Sequence, residues 1–225
     1  MKLNFNMMDE SIELNGITSL VIENKVVFAK LVESFYAYTP DSGEVKLFGN
    51  KYESIKQDDL MVVTDVLNYD VNSVPVIKLL YGDLESQIAN NPELHTEIED
   101  ALGKLATLII RETLDFELDL NFSELTMQKI FKALDIKIET SDLTIFERMS
   151  DIILIFKYMR KKKLLVLINL GTYLSPEQIS ATVEHADLQN ITMLLLDNAA
   201  FDAPSNLTQY VMDEDFVVIK TNTAK

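Results

Sequence analysis

The feature that most constrains the fold of this chain is a change of hydrophobic period at Asn72. Before it, short apolar runs at Leu3 to Met7, Ile12 to Leu14, Ile17 to Ile22, Val45 to Phe48 and Leu60 to Thr64 surround one helix-like stretch, Lys25 to Tyr38. That is the pattern of strands packed around a helix. From Asn72 the apolar residues fall at three- and four-residue steps, Val74, Ile77, Leu80, Leu84 and Ile88, with Pro75 tolerated in the first turn. Asn90-Asn91-Pro92 ends this helix, and Leu94, Ile98, Leu102, Leu105 and Ile109 carry a second one from Pro92 to Leu114. A long helix from Thr144 to Lys161 then feeds the apolar run Leu164 to Leu170. Ser175-Pro176-Glu177 opens another helix, and Ile191 to Leu196 and Phe216 to Lys220 supply the last strands. The economical architecture is an α/β head domain made from residues 1–71 and 143–225, interrupted by an α-helical leg domain of residues 72–142.

Within the leg, Asp115 to Phe122 alternates strictly. An extended chain would put the carboxylates of Asp115, Glu117 and Asp119 on one face and Phe116, Leu118, Leu120 and Phe122 on the other, the pattern of a half-buried strand. Ser123 then offers an N-cap to a short helix with Met127, Ile130, Phe131 and Leu134 on one side. The same acids, with Glu124 beyond them, also suit calcium, which takes roughly six to eight oxygens in flexible geometry and needs neither histidine nor cysteine. The segment is no EF-hand, because it lacks the glycine and the ligand order of that loop.

Several chemistries are excluded or weakened. With no cysteine in the chain there is no disulfide, thiolate metal site or thiol nucleophile, which suits a reducing cytosol. The two histidines, His95 and His185, stand beside no recognisable nucleophile motif and read as surface helix residues. The strand Ile17 to Ile22 runs through Glu23 and Asn24 into the helix at Lys25, the place where an NTPase puts its phosphate loop. The glycines that let backbone N–H groups wrap a phosphate are missing there. The strand from Leu164 reaches Asn169 rather than the acid that would hold magnesium. A nucleotide site in this head would be dead, and no enzyme activity is expected.

The formal charge of −16 should by itself repel nucleic acid. DNA affinity comes from phosphates neutralised locally, so the objection fails if the basic residues are segregated onto one surface. Three basic sets exist: Lys129, Lys132 and Lys137 in the leg; Lys25 and Lys30 on the head helix; and Lys157, Arg160, Lys161, Lys162 and Lys163 where a helix ends. The last set has a bland alternative, since cations at a helix C-terminus are favoured by the macrodipole alone. The first residues acquire acids within ten positions and lack a signal peptide's apolar run, and no window approaches a membrane span, so a soluble, cytoplasmic protein is expected.

Particular strings say more. Tyr69-Asp70-Val71-Asn72-Ser73, Asp83-Leu84-Glu85-Ser86-Gln87, Glu117-Leu118-Asp119-Leu120, the stretch Ile155 to Leu165 with its run Arg160-Lys161-Lys162-Lys163, and Asp213-Glu214-Asp215-Phe216 together resemble the Csn-two family, the small accessory adaptation proteins of type II-A CRISPR systems. The resemblance runs from Met1 to Lys220. It implies an α/β head related to P-loop NTPases but without a functional phosphate loop, a helical leg, and a homotetrameric ring. The ring's basic inner surface would encircle double-stranded DNA through its ends, without catalysis and supported by calcium, alongside a CRISPR integrase and effector nuclease. Glu117 and Asp119 match the family's acidic leg segment, with Asp115 and Glu124 as neighbours. For DNA the leg lysines Lys132, Lys137 and Lys129 rank first, then Lys25, Lys30 and the run Lys161, Lys162 and Lys163. The alternatives left open are a degenerate NTPase-like protein and an acidic scaffold that binds only protein.

Overall fold

A computed structural model of the chain describes residues 1–40, 43–49, 51–114, 116–204 and 206–221. The elements follow in order: strands β1 (Lys2–Phe5), β2 (Ile12–Glu13) and β3 (Ile17–Ile22), helix α1 (Lys25–Tyr36), and strands β4 (Val45–Phe48) and β5 (Leu60–Val63). Three helices come next, α2 (Val74–Ala89), α3 (Pro92–Thr113) and α4 (Met127–Ala133). The chain then alternates through α5 (Ile145–Tyr158), β6 (Leu164–Ile168), α6 (Leu170–Tyr173), α7 (Pro176–Leu188) and β7 (Met193–Asp197), and closes with β8 (Thr208–Met212) and β9 (Val218–Thr221). It divides into two compact units, Met1–Val71 with Thr140–Lys225, and Asn72–Glu139.

The first unit holds a six-stranded sheet in the order β5-β6-β7-β3-β8-β9, parallel except for β9, which returns antiparallel on β8. A three-stranded antiparallel sheet, β2-β1-β4, is separate from it. Strands β3, β6 and β7 are buried along their whole length, as a parallel sheet covered on both faces requires, and their sequences are correspondingly near-continuous apolar runs. Pleating sorts those runs into two cores. Leu164, Val166 and Ile168 join Leu20, Ile22, Leu194 and Leu196 beneath α1 and the small sheet, against Phe5, Leu31 and Phe35. Leu165 and Leu167 join Met193 and Leu195 on the opposite face, against Ile152 and Phe156 of α5 and Ile179 and Val183 of α7. Each fully buried aliphatic side chain here contributes about 1.5–3 kcal/mol.

Helix ends follow local chemistry. Thr144 and Glu147 form a reciprocal capping box at the start of α5, with the Glu147 N–H donating to Thr144 Oγ1 at 3.3 Å and the Thr144 N–H donating to Glu147 Oε2 at 2.8 Å. Ser175 caps α7 in the same way, with Pro176 in the first turn.

The second unit is helical. Tyr81 of α2 fixes α4, its ring tilted against Phe131 at 5.4 Å and its hydroxyl donating to the Ile136 carbonyl at 3.2 Å. Asn72 clasps the exit of α4 in both directions: its Nδ2 donates to the Ile138 carbonyl at 3.0 Å, and its Oδ1 accepts the Ile138 N–H at 2.9 Å. The expectation of a half-buried strand over residues 115–122 is corrected here. Residues 116–126 form no strand, and their side chains are exposed in both rows, Glu117 and Asp119 in one and Phe116 (61%) and Leu118 (67%) in the other. The physical reason is that a strand needs a neighbour for its hydrogen-bond ladder, and the described residues of this unit form only helices. The cap of α4 is Thr126, accepting from the Lys129 N–H, rather than Ser123.

Candidate nucleic-acid interface

The basic residues sort by what already engages them. On α4, Lys129 and Lys132 stand three positions apart and so share a side of the helix. The Lys129 ammonium turns back onto its own loop, donating to Ser123 Oγ at 2.8 Å and to the Glu124 carbonyl at 2.6 Å. Lys137, placed by the Asn72 clasp on its neighbour Ile138, pairs with Asp135 at 2.8 Å, whose hydrogen bond and charge raise its pKa. Lys132 lies in the last turn of α4, exposed, and no hydrogen bond or ion pair among the described residues engages its ammonium.

In the other unit Lys25 and Lys30 are exposed on α1. The run after α5 is divided. Lys161 is exposed, whereas Lys162 Nζ donates to the Leu60 carbonyl and Lys163 Nζ meets Asp59 Oδ2 at 2.9 Å, with the Lys163 N–H on the Asp59 carbonyl at 2.6 Å. Those two lysines fasten the turn into β6 onto the entry of β5.

Glu117, Asp119 and Glu124 are all exposed, and Asp115 lies outside the described residues. The oxygen-only donor set suits calcium, and among the described residues no three such groups are gathered into one cage.

The start of α1 adds something that the missing glycines alone did not reveal. Asn24 Oδ1 accepts the N–H groups of Val26 at 3.0 Å and Val27 at 3.2 Å, the donors a phosphate would need. An asparagine directly before a helix was the available signal. At the end of β6, Asn169 adopts a left-handed conformation with φ 59° and no side-chain cap bond.

With this geometry stand the likenesses to known proteins. The model of the family described as CRISPR-associated protein (Cas_Csn2) matches residues 37–216. The chain belongs to the Csn2 family. The CRISPR-associated protein Csn2 of Streptococcus agalactiae is 40% identical over 222 residues, covering 98% of both chains. Csn2 of Enterococcus faecalis is 41% identical over 216 residues, 96% of this chain and 97% of its own. The crystal structure of Stu0660 of Streptococcus thermophilus superposes with a TM-score of 0.59 at 12% identity, over 94% of this chain and 74% of that one, a likeness of fold. Csn2 membership places the chain in CRISPR adaptation and defence. Among the described residues no helix is long and apolar enough to cross a membrane.

Proposed function

We propose that this Csn2 chain binds double-stranded DNA without catalysis, as a ring-shaped homotetramer serving spacer acquisition, and that it works in the cytoplasm alongside the CRISPR integrase and effector nuclease. The observation that carries the reading is the placement of Lys132. It is an exposed, unengaged cation on a helix fixed from below by Tyr81 and flanked by Lys129 and Lys137. A protein of net charge −16 holds a duplex only through such local cations, each replacing counterions on a phosphate. Contacts of this kind position a duplex and read no base edges, so binding is independent of DNA sequence. Lys25, Lys30 and Lys161 are further cations with free reach. Lys129 and Lys137 join by exchanging their present local partners for phosphate.

The rival NTPase reading is disfavoured by Asn24, whose side chain occupies the first amides of α1. Calcium enters this reading through the acids Asp115, Glu117, Asp119 and Glu124 and through the family resemblance, with no coordination geometry attached. Binding of linear and covalently closed duplex of one length, together with sedimentation at micromolar concentration, tests the whole reading. A tetramer that holds linear DNA and releases or refuses the closed form is the expected result. Equal binding to both forms denies threading through ends, and a monomer that binds neither favours the protein-only scaffold.

A further inference from the structure

The C-terminal edge of the parallel sheet, where open α/β folds place their chemistry, here ends in a buried acid that the DNA-binding reading does not use. Asp197 closes β7 and is only 2% exposed. One of its oxygens, Oδ1, accepts the Gly171 N–H of α6 at 2.8 Å. The other, Oδ2, is buried and has no hydrogen-bond partner among the described residues. Ile168 and Leu196 are register partners on β6 and β7, so the residues that follow them, Asn169 and Asp197, stand side by side at the C-terminal edge of the sheet. Asn169 Oδ1 is likewise buried and has no partner among the described residues. Two neighbouring acceptors lacking a donor are costly to bury, and the cost is greatest for an ionised carboxylate. Gly171 allows the close approach, since a Cβ there would stand 3.0 Å from the Phe201 ring and 3.2 Å from Asp197 Oδ1.

We propose that Asp197 is a proton-linked latch: as the neutral acid its carboxyl seats α6 against the end of β7, and its ionisation loosens that seat. Burial pushes its pKa up to about 6, opposed by the Gly171 hydrogen bond. Among the described residues no charged group contributes to the shift. Strands β3 and β6 carry no ionisable side chain, and α6 carries only Tyr173, which is exposed. On α7, Glu177, Glu184 and Asp187 are exposed and His185 is half-buried; Asp202 on the following loop is exposed.

The sign follows from proton linkage. Between the ordinary carboxylate range and pH 6 the folded chain holds a proton that the unfolded chain has released, so stability contributed at this site falls as pH rises through that window. The test compares melting temperatures of the full-length protein and Asp197→Asn from pH 5 to pH 8. The amide imitates the neutral acid, so the wild type should lose stability relative to the variant as pH rises, with the difference opening around pH 6. A difference that stays constant across the range overturns the latch. Should Asp197→Asn not fold, the carboxyl carbon of Asp197 is titrated by NMR in the wild type while the exchange protection of the Gly171 amide is followed. A midpoint near 6, with protection lost above it, supports the proposal; a midpoint near 4, or protection indifferent to pH, overturns it.

Discussion

At the residue scale, the basic run after α5 shows how one composition divides into two roles. Lys162 and Lys163 face the entry of β5, while Lys161, beside them, reaches solvent. Burial tends to raise the pKa of Asp59, but the hydrogen bond and charge of Lys163, with the Lys56 contacts, outweigh it and hold the carboxyl below its usual range. A depressed carboxylate contributes stability above its unfolded pKa and loses it as pH falls through the folded one. Lys163→Ala should therefore cost less than about 1 kcal/mol at pH 7, the pair being half solvated on its lysine side, and in denaturant titrations the difference should shrink as pH falls below the ordinary aspartate range. None of this was legible in the sequence. A run of four cations reads as one patch, and only the turn geometry shows which ammonium meets a carbonyl and which meets water.

At the scale of elements, local chemistry and period were legible where burial enforces them. The strand expected at Ile17 to Ile22 is β3 residue for residue, because a strand covered on both faces admits only apolar or small side chains. Strand β8 escaped notice because Gln209 interrupts its apolar run, although the side chain is buried and its Nε2 donates to the Phe201 carbonyl at 3.5 Å. The segment after α3 failed in the opposite direction: its alternation is real, but period alone cannot supply a partner strand. Asn24→Ala removes the cap of α1 and should cost about 1 kcal/mol, roughly 2–4 °C in melting temperature for a chain of this size. Neither this variant nor the wild type should gain stability from magnesium-ATP, and a nucleotide-dependent rise in a thermal melt would revive the NTPase reading. For the acidic segment, chelation of divalent ions should loosen the assembly or lower its melting temperature, because a ligand held only by the folded form stabilises by mass action. Glu117→Ala with Asp119→Ala should imitate the chelator, and unchanged assembly and melting would remove calcium from the proposal.

For the whole molecule the controlling quantity is charge, −16 in net yet locally basic where duplex contact is proposed. The approach of DNA is opposed by the overall field and rewarded only at the contacts, so affinity should fall steeply with salt and be indifferent to sequence. Each phosphate neutralised contributes a slope of about −0.9 in log affinity against log salt. In a symmetric tetramer all of whose copies touch DNA, Lys132→Ala removes four contacts at once and should flatten the slope by roughly 3.6 units. Lys162→Ala is the contrasting variant. Its ammonium is already committed to the Leu60 carbonyl, so it should lower stability and leave the slope in place. A salt series on linear duplex with both variants therefore separates a lining cation from a structural one. An unchanged slope for Lys132→Ala removes that lysine from the interface, and an unchanged slope after substituting Lys129, Lys137, Lys25, Lys30 and Lys161 as well denies that cations line a DNA path in this protein at all.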